Sequence, residues 1–118
     1  MGPDFIAVQV RDLEASADFY ATHLGLERAP VSPPHAVVFD TEPIPFAVRE
    51  PLVDLDAVDR LGWGVAIWIK AEDSQPLHDK MAAAGVPILV EPFDGPFGRT
   101  FTFADPDGYA VTVHDRAA

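Results

Sequence analysis

One order of elements occurs twice in this chain: an alternating apolar run, a helix-forming stretch and a glycine. Ile6, Val8 and Val10 alternate with Ala7 and Gln9; further on, Val65, Ile67 and Ile69 alternate with Ala66 and Trp68. A period of two marks a strand with one apolar face. Val8 and Ile67, Val10 and Ile69, and Arg11 and Lys70 all stand 59 positions apart, and the helix-ending glycines Gly25 and Gly85 stand 60 apart. The spacing predicts an internal repeat of two small modules rather than two independent domains, since 118 residues make one domain's worth of chain.

Each module reads in the same way. Asp12 can cap a helix from Leu13 to Leu24, with Leu13, Ala17, Tyr20 and Leu24 on one face and Phe19 at its edge. Residues 26–34 are broken by Pro30, Pro33 and Pro34. His35–Asp40 and Ile44–Arg49 read as a hairpin joined by Thr41-Glu42-Pro43, and Pro45 argues that its second run is an edge or irregular strand. In the second module Ser74 is the expected cap of a helix from Gln75 to Ala84, with Pro76 in its first turn and Leu77, Met81 and Ala84 as its buried stripe. Val86–Val90 reads as a strand and Glu91–Gly98 as a turn-rich stretch. Arg99–Ala104 and Tyr109–His114 form a last hairpin around Asp105-Pro106-Asp107-Gly108. The expected fold class is α+β: two tandem βαβββ modules, residues 4–50 and 62–115, joined by a linker over 51–61. One face of each sheet would be covered by a helix, and the other faces would curl together into a cup.

Composition removes several functions. The chain holds no cysteine, so disulfides, thiolate metal sites and a cysteine nucleophile are excluded. Eight basic against 19 acidic side chains give a net charge of −11, which repels phosphate backbones and argues against nucleic-acid partners. Two readings of that charge stand: a solvated surface, or a field that steers cationic ligands. No apolar run approaches the roughly 20 residues a spanning helix needs, and the Met1-Gly2-Pro3-Asp4-Phe5 start has no basic region before an apolar stretch. A cytoplasmic protein without a membrane partner is therefore expected. A hydrophobic fraction of 48% argues for a packed core despite 12 prolines.

Val10-Arg11-Asp12-Leu13-Glu14-Ala15-Ser16, then Phe19-Tyr20 and Leu24-Gly25-Leu26, resemble the opening of vicinal-oxygen-chelate proteins, and Phe103-Ala104-Asp105-Pro106-Asp107-Gly108-Tyr109 resembles their last hairpin. Val48-Arg49-Glu50-Pro51 resembles the end of the first module in some antibiotic-resistance members. That superfamily includes glyoxalase I, extradiol dioxygenases, fosfomycin-resistance thiol transferases and bleomycin-resistance proteins. Its catalytic members hold a divalent metal inside the cup on His, Gln or Glu. Carried onto this chain, the resemblance puts those ligand positions at Phe5, Phe46, Gly64 and Thr112. Phe and Gly offer no donor atom and a neutral Thr hydroxyl is a poor ligand alone, so no metal and no other cofactor is expected. The resemblance also implies a homodimer.

Strand parity supplies a candidate lining for the cup. With position 5 inward, Ala7 and Gln9 follow it, and Gly64, Ala66 and Trp68 do so in the second module, with Val65, Ile67 and Ile69 toward the helix. Ala110, Thr112 and His114 point inward from the last strand, and Val37, Phe39 and Phe46 are expected on the same side. The candidate ligand-binding set is thus Phe5, Gln9, Phe39, Phe46, Trp68, Thr112 and His114, an aromatic lining with few polar groups. Blander readings compete: Phe5 and Phe46 as core plugs, Trp68 at a dimer seam, Trp63 at a rim or interface, and His114 as an ordinary core or surface residue. His23 and His78 read as solvent-exposed, Arg99 as a salt-bridge partner, Asp105 and Asp107 as turn formers. The stretch Phe93–Phe97 reads equally as a lid or as a hydrophobic flap. No Ser–His–Asp spacing, phosphate-cradling glycine loop or HExxH helix occurs. The first expectation is a metal-free, bleomycin-resistance-like binding protein that sequesters a small hydrophobic or cationic molecule. The alternative is a lyase, transferase or dioxygenase-type enzyme with an atypical or displaced metal, in which His114, Gln9, His35 or Glu42 would move protons.

Overall fold

The computed structural model describes residues 1–116. The chain divides into two compact units, Met1–Asp59 and a second from Arg60 onward.

The first unit runs β1 (Ile6–Gln9), α1 (Leu13–His23), β2 (Ala36–Phe39) and β3 (Phe46–Arg49). Asp12 caps α1 as its sequence position implies, its carboxylate accepting from the Ala15 N–H at 3.1 Å. The strands pair in the order β1-β3-β2, with β1 parallel and β2 antiparallel to β3. The expected edge role of Pro45 is corrected: β3 is the central strand, and it begins at Phe46, one residue after the proline. Pro45 has no N–H to lose from the ladder, and its carbonyl still accepts from Ile6 at 3.2 Å. The strand expected between helix and hairpin is reduced to one bridge, Arg28 to Phe39, so this module is βαββ. The buried side of α1 carries Ser16, Ala17 and Tyr20.

Ser16 is fully buried and its hydroxyl has no hydrogen-bond partner. An unpaired buried hydroxyl costs free energy, and alanine is the better helix former. Ser16→Ala is therefore expected to stabilise the protein by about 1 kcal/mol, read as a higher urea midpoint with an unchanged slope.

The second unit keeps the full βαβββ order: β4 (Ile67–Lys70), α2 (Ser74–Ala83), β5 (Ile88–Gly95), β6 (Gly98–Ala104) and β7 (Ala110–His114). The sheet order is β4-β7-β6-β5, with β4 and β7 parallel. β4 starts two residues later than the alternation predicts. Gly62 and Gly64 take φ of +76° and +97°, and the Val65 N–H closes a turn on the Gly62 carbonyl at 3.0 Å. Val65 is thus 70% exposed instead of joining the helix-covered face. β5 runs through Pro92 where a turn was expected. It is an edge strand with two irregularities in its register, which is where a proline is tolerated. α2 begins at Ser74 rather than after it, and Ser74 is not the side-chain cap. Phe101, Phe103, Val111, Val113 and Met81 form the buried core of this unit, with Phe101 against His78 of α2 at 5.3 Å. No helix among the described residues is long and apolar enough to cross a membrane.

Candidate functional site

The floor of the candidate site is the face of the second sheet that turns away from α2. Trp68 lies opposite Thr112 and Lys70 opposite His114 across the β4–β7 pair, and Thr102 lies opposite Thr112 across β6–β7. Alternation places these five side chains together, because their neighbours Ile69, Val111, Val113, Phe101 and Phe103 share the side that packs on the helix. The Thr102 and Thr112 hydroxyls bond each other at 2.9 Å. The rings of Trp68 and His114 meet edge to face at 5.9 Å.

A roof stands over these rings. The β5–β6 hairpin closes through the two-residue tip Pro96-Phe97 between the paired glycines Gly95 and Gly98. Phe97 reaches Trp68 at 5.3 Å and His114 at 6.1 Å. The Arg116 guanidinium lies over the Phe97 ring, 5.7 Å from its centroid. Trp68 nonetheless stays 49% exposed and Phe97 43%, so the aromatic surface is open to a ligand. His114 is half-buried, and its Nδ1 is shielded from solvent with no hydrogen-bond partner. Such an atom is a waiting donor or acceptor.

One carboxylate positions the elements around this site. Asp115 accepts from the Arg99 N–H at 2.8 Å and from the Ser74 N–H at 3.0 Å, so immediately after His114 it ties the tip end of the hairpin to the start of α2. The Ser74 and Arg99 backbone donors hold its carboxyl below the usual carboxylate range. A depressed carboxylate contributes stability at every pH above its ordinary value of about 3.9 and loses it as acid carries the pH below that, through the lowered value. Asp115→Asn is expected to remove that part of the acid slope, which urea midpoints measured between pH 2 and 5 would show.

The residues expected from the first unit fare differently. Phe5 precedes β1 and is 48% exposed. Gln9 faces Arg49 across β1–β3, and its side-chain oxygen accepts from the Leu52 N–H at 2.6 Å, fastening the chain that follows β3. The inward placing of Phe39, Phe46 and Val37 is corrected. Phe39 is fully buried and stacks on Phe46 at 6.1 Å, and both rings pack on Tyr20 of α1, at 6.3 and 5.0 Å. Val37 shares their face by alternation. The register Ile6–Phe46 and Val8–Val48 puts Phe46 on the helix side with the aliphatics of β1. The positions of β3 that share a face with Gln9 are therefore Ala47 and Arg49.

Other expectations shift as well. His78 is not a solvent residue: its side chain is only 12% exposed and lies between Asp79 at 2.9 Å and Glu91 at 3.2 Å. Arg99 pairs with Asp94 at 3.3 Å, as expected of a salt-bridge partner, and also donates to Gln75 at 2.9 Å. Phe93 packs over Gly95. Lys70, Phe97, Asp115 and Arg116 were absent from the expected site set. Lys70 and Arg116 were recoverable by parity, each standing two residues beyond an expected site residue, Trp68 and His114.

The positions that the family resemblance assigns to metal ligands do not suit a cation. Phe5 and Gly64 have no donor, Phe46 faces α1, and the Thr112 hydroxyl is engaged with Thr102. Among the described residues no group of three His, Cys, Asp or Glu side chains is placed to hold an ion.

Comparison with known proteins agrees with this architecture. The profile of the Glyoxalase/Bleomycin resistance protein/Dioxygenase superfamily matches residues 2–113. The phenazine antibiotic resistance protein EhpR of Enterobacter agglomerans is 27% identical over 118 residues, covering 94% of this chain and 89% of its own. A protein of Agrobacterium tumefaciens solved in solution by NMR is 28% identical, with a TM-score of 0.75 over 100% of this chain and 99% of the other. A lactoylglutathione lyase of the same organism is 21% identical, with a TM-score of 0.70 over 97% and 92%, and shows the shared fold. With nearly its whole length matched, the chain belongs to the glyoxalase/bleomycin resistance protein/dioxygenase superfamily.

Proposed function

We propose that this protein binds and sequesters a small planar aromatic molecule, without a metal, on the open face of the β4-β7-β6 sheet. The observation that carries the reading is the half-exposed Trp68 beside His114 and beneath Phe97. A flat ring laid on this surface gains aromatic contact area and covers the apolar edge of the sheet. The name of the Enterobacter relative adds support, since a phenazine is a planar tricyclic aromatic. The four metal-ligand positions lack a donor set, and sequestration needs none, because holding a drug requires no bond to be made or broken.

The chain has two tryptophans, Trp63 and Trp68. Titration with phenazine is expected to quench fluorescence in the wild type and in Trp63→Phe. Trp68→Ala is expected to bind at least about tenfold more weakly, the worth of one lost aromatic contact. No quenching by phenazine, or full affinity in Trp68→Ala, overturns the reading. Stoichiometric Ni, Zn, Fe or Mn in the purified protein would favour the enzyme alternative. The homodimer implied by the family belongs to the same proposal, supported by the exposed Leu52, Val53, Trp63 and Val65. Sedimentation velocity tests it.

A further inference from the structure

We infer that the aromatic ligand is an acid: a planar ring bearing a carboxylate or similar anionic group. The inference rests on the binding site proposed above and specifies its ligand's charge, against the cation-steering reading that the overall charge of −11 invites.

The local charge differs from the global one. Of the eight Lys and Arg side chains, Arg11, Arg28 and Arg99 are paired with carboxylates, and Arg49, Arg60 and Lys80 lie outside the elements that carry the aromatic cluster, without an ion pair among the described residues. Lys70 and Arg116 likewise have no carboxylate within 4.0 Å among the described residues. Both stand at the aromatic cluster. Lys70 lies directly opposite His114 in the β4–β7 register and on the same face as Trp68. Arg116 follows His114 by two residues and places its guanidinium over Phe97, the ring that touches both Trp68 and His114. The carboxylate next to Arg116 in the chain, Asp115, has opposite parity and is engaged by two backbone N–H groups, and Glu72, two residues after Lys70, makes no ion pair with that lysine.

Two unpaired cations flanking an exposed indole, on a chain that is otherwise strongly acidic, form a local positive field. An anionic substituent satisfies it. The guanidinium suits a carboxylate through paired N–H donors, while the ammonium serves as a point charge. A neutral ring would leave the field unanswered, and a cationic ring would meet it with the wrong sign.

The test compares three probes on the full chain at pH 7.5: phenazine, phenazine-1-carboxylate and the 5-methylphenazinium cation. Binding is followed by tryptophan fluorescence and calorimetry. The carboxylate is expected to bind about tenfold tighter than phenazine, because exposed charge pairs add modestly. That preference should shrink in 0.5 M salt. In the double variant Lys70→Gln/Arg116→Gln, with the fold checked by circular dichroism, the ratio of acid to neutral affinity should fall close to one. Equal affinity for acid and neutral probe, or tightest binding of the cation, overturns the inference and leaves the aromatic site standing. A double variant that keeps the tenfold ratio also overturns it. No binding of any probe removes the site proposal itself.

Discussion

Replacing Phe39 by alanine is expected to destabilise the protein by about 3–5 kcal/mol, the usual range for a phenylalanine truncated in a core. That is a large share of the roughly 5–15 kcal/mol that holds a domain folded. The ring is fully buried and packs on both Tyr20 and Phe46, so its loss leaves a cavity lined by two aromatics already in contact with each other. The measurement separates two placements of this residue. A core residue changes the urea midpoint and leaves probe affinity per folded molecule unaltered. A ligand contact would do the reverse. A stability loss below about 1 kcal/mol, well short of the core-truncation range, would return Phe39 to the open face.

Asp105→Ala is expected to cost about 2–4 kcal/mol, since hydrogen bonds to a charged group are each worth roughly 1.5–3 kcal/mol. One buried carboxylate oxygen accepts from both the Asp107 and Tyr109 N–H groups at 2.9 Å. The backbone closes the same turn twice more, Asp105 N–H to the Tyr109 carbonyl and Gly108 N–H to the Asp105 carbonyl, each at 3.0 Å. Truncation leaves the Tyr109 N–H buried without its acceptor, at the point where β7 begins and where the register of Thr112 and His114 is set. Asp105→Asn keeps one amide oxygen and should lose about half as much, roughly 1–2 kcal/mol. Thermal melts of the pair check the order. An alanine variant within about 0.5 kcal/mol of wild type, the range of a neutral surface substitution, would show that the backbone bonds alone hold the turn.

How far the chain could be read in advance follows from which signals are local. Alternation in β1, β4 and β7 was visible because each has one aliphatic and one mixed face, so the positions of Trp68, Thr112 and His114 follow by counting. The Asp12 cap and the Asp105 turn are likewise contained within a few residues. Local pattern does not orient Phe39 and Phe46, because Ala36–Phe39 and Phe46–Val48 are apolar on both faces. Only the pairing of β3 with β1 and β2 orients such strands, and pairing is a property of distant residues. β5 was cut short because Pro92 reads locally as a breaker, and the edge position that tolerates it is again non-local. Phe97 reached the site through hairpin geometry rather than through any motif. Asp115, which caps α2 from 41 residues away, carries no sequence signature of that role.

That distant anchor has a consequence for redesign. Asp115 grips the hairpin beside its tip, at Arg99, two residues after Phe97, whose ring also meets Trp68, His114 and Arg116. A change in the length of the tip would therefore disturb that grip, whereas exchange of the side chain at Phe97 leaves the Arg99–Asp115 bond in place. Selectivity would then evolve in two residues of overhang, with the foundation left undisturbed.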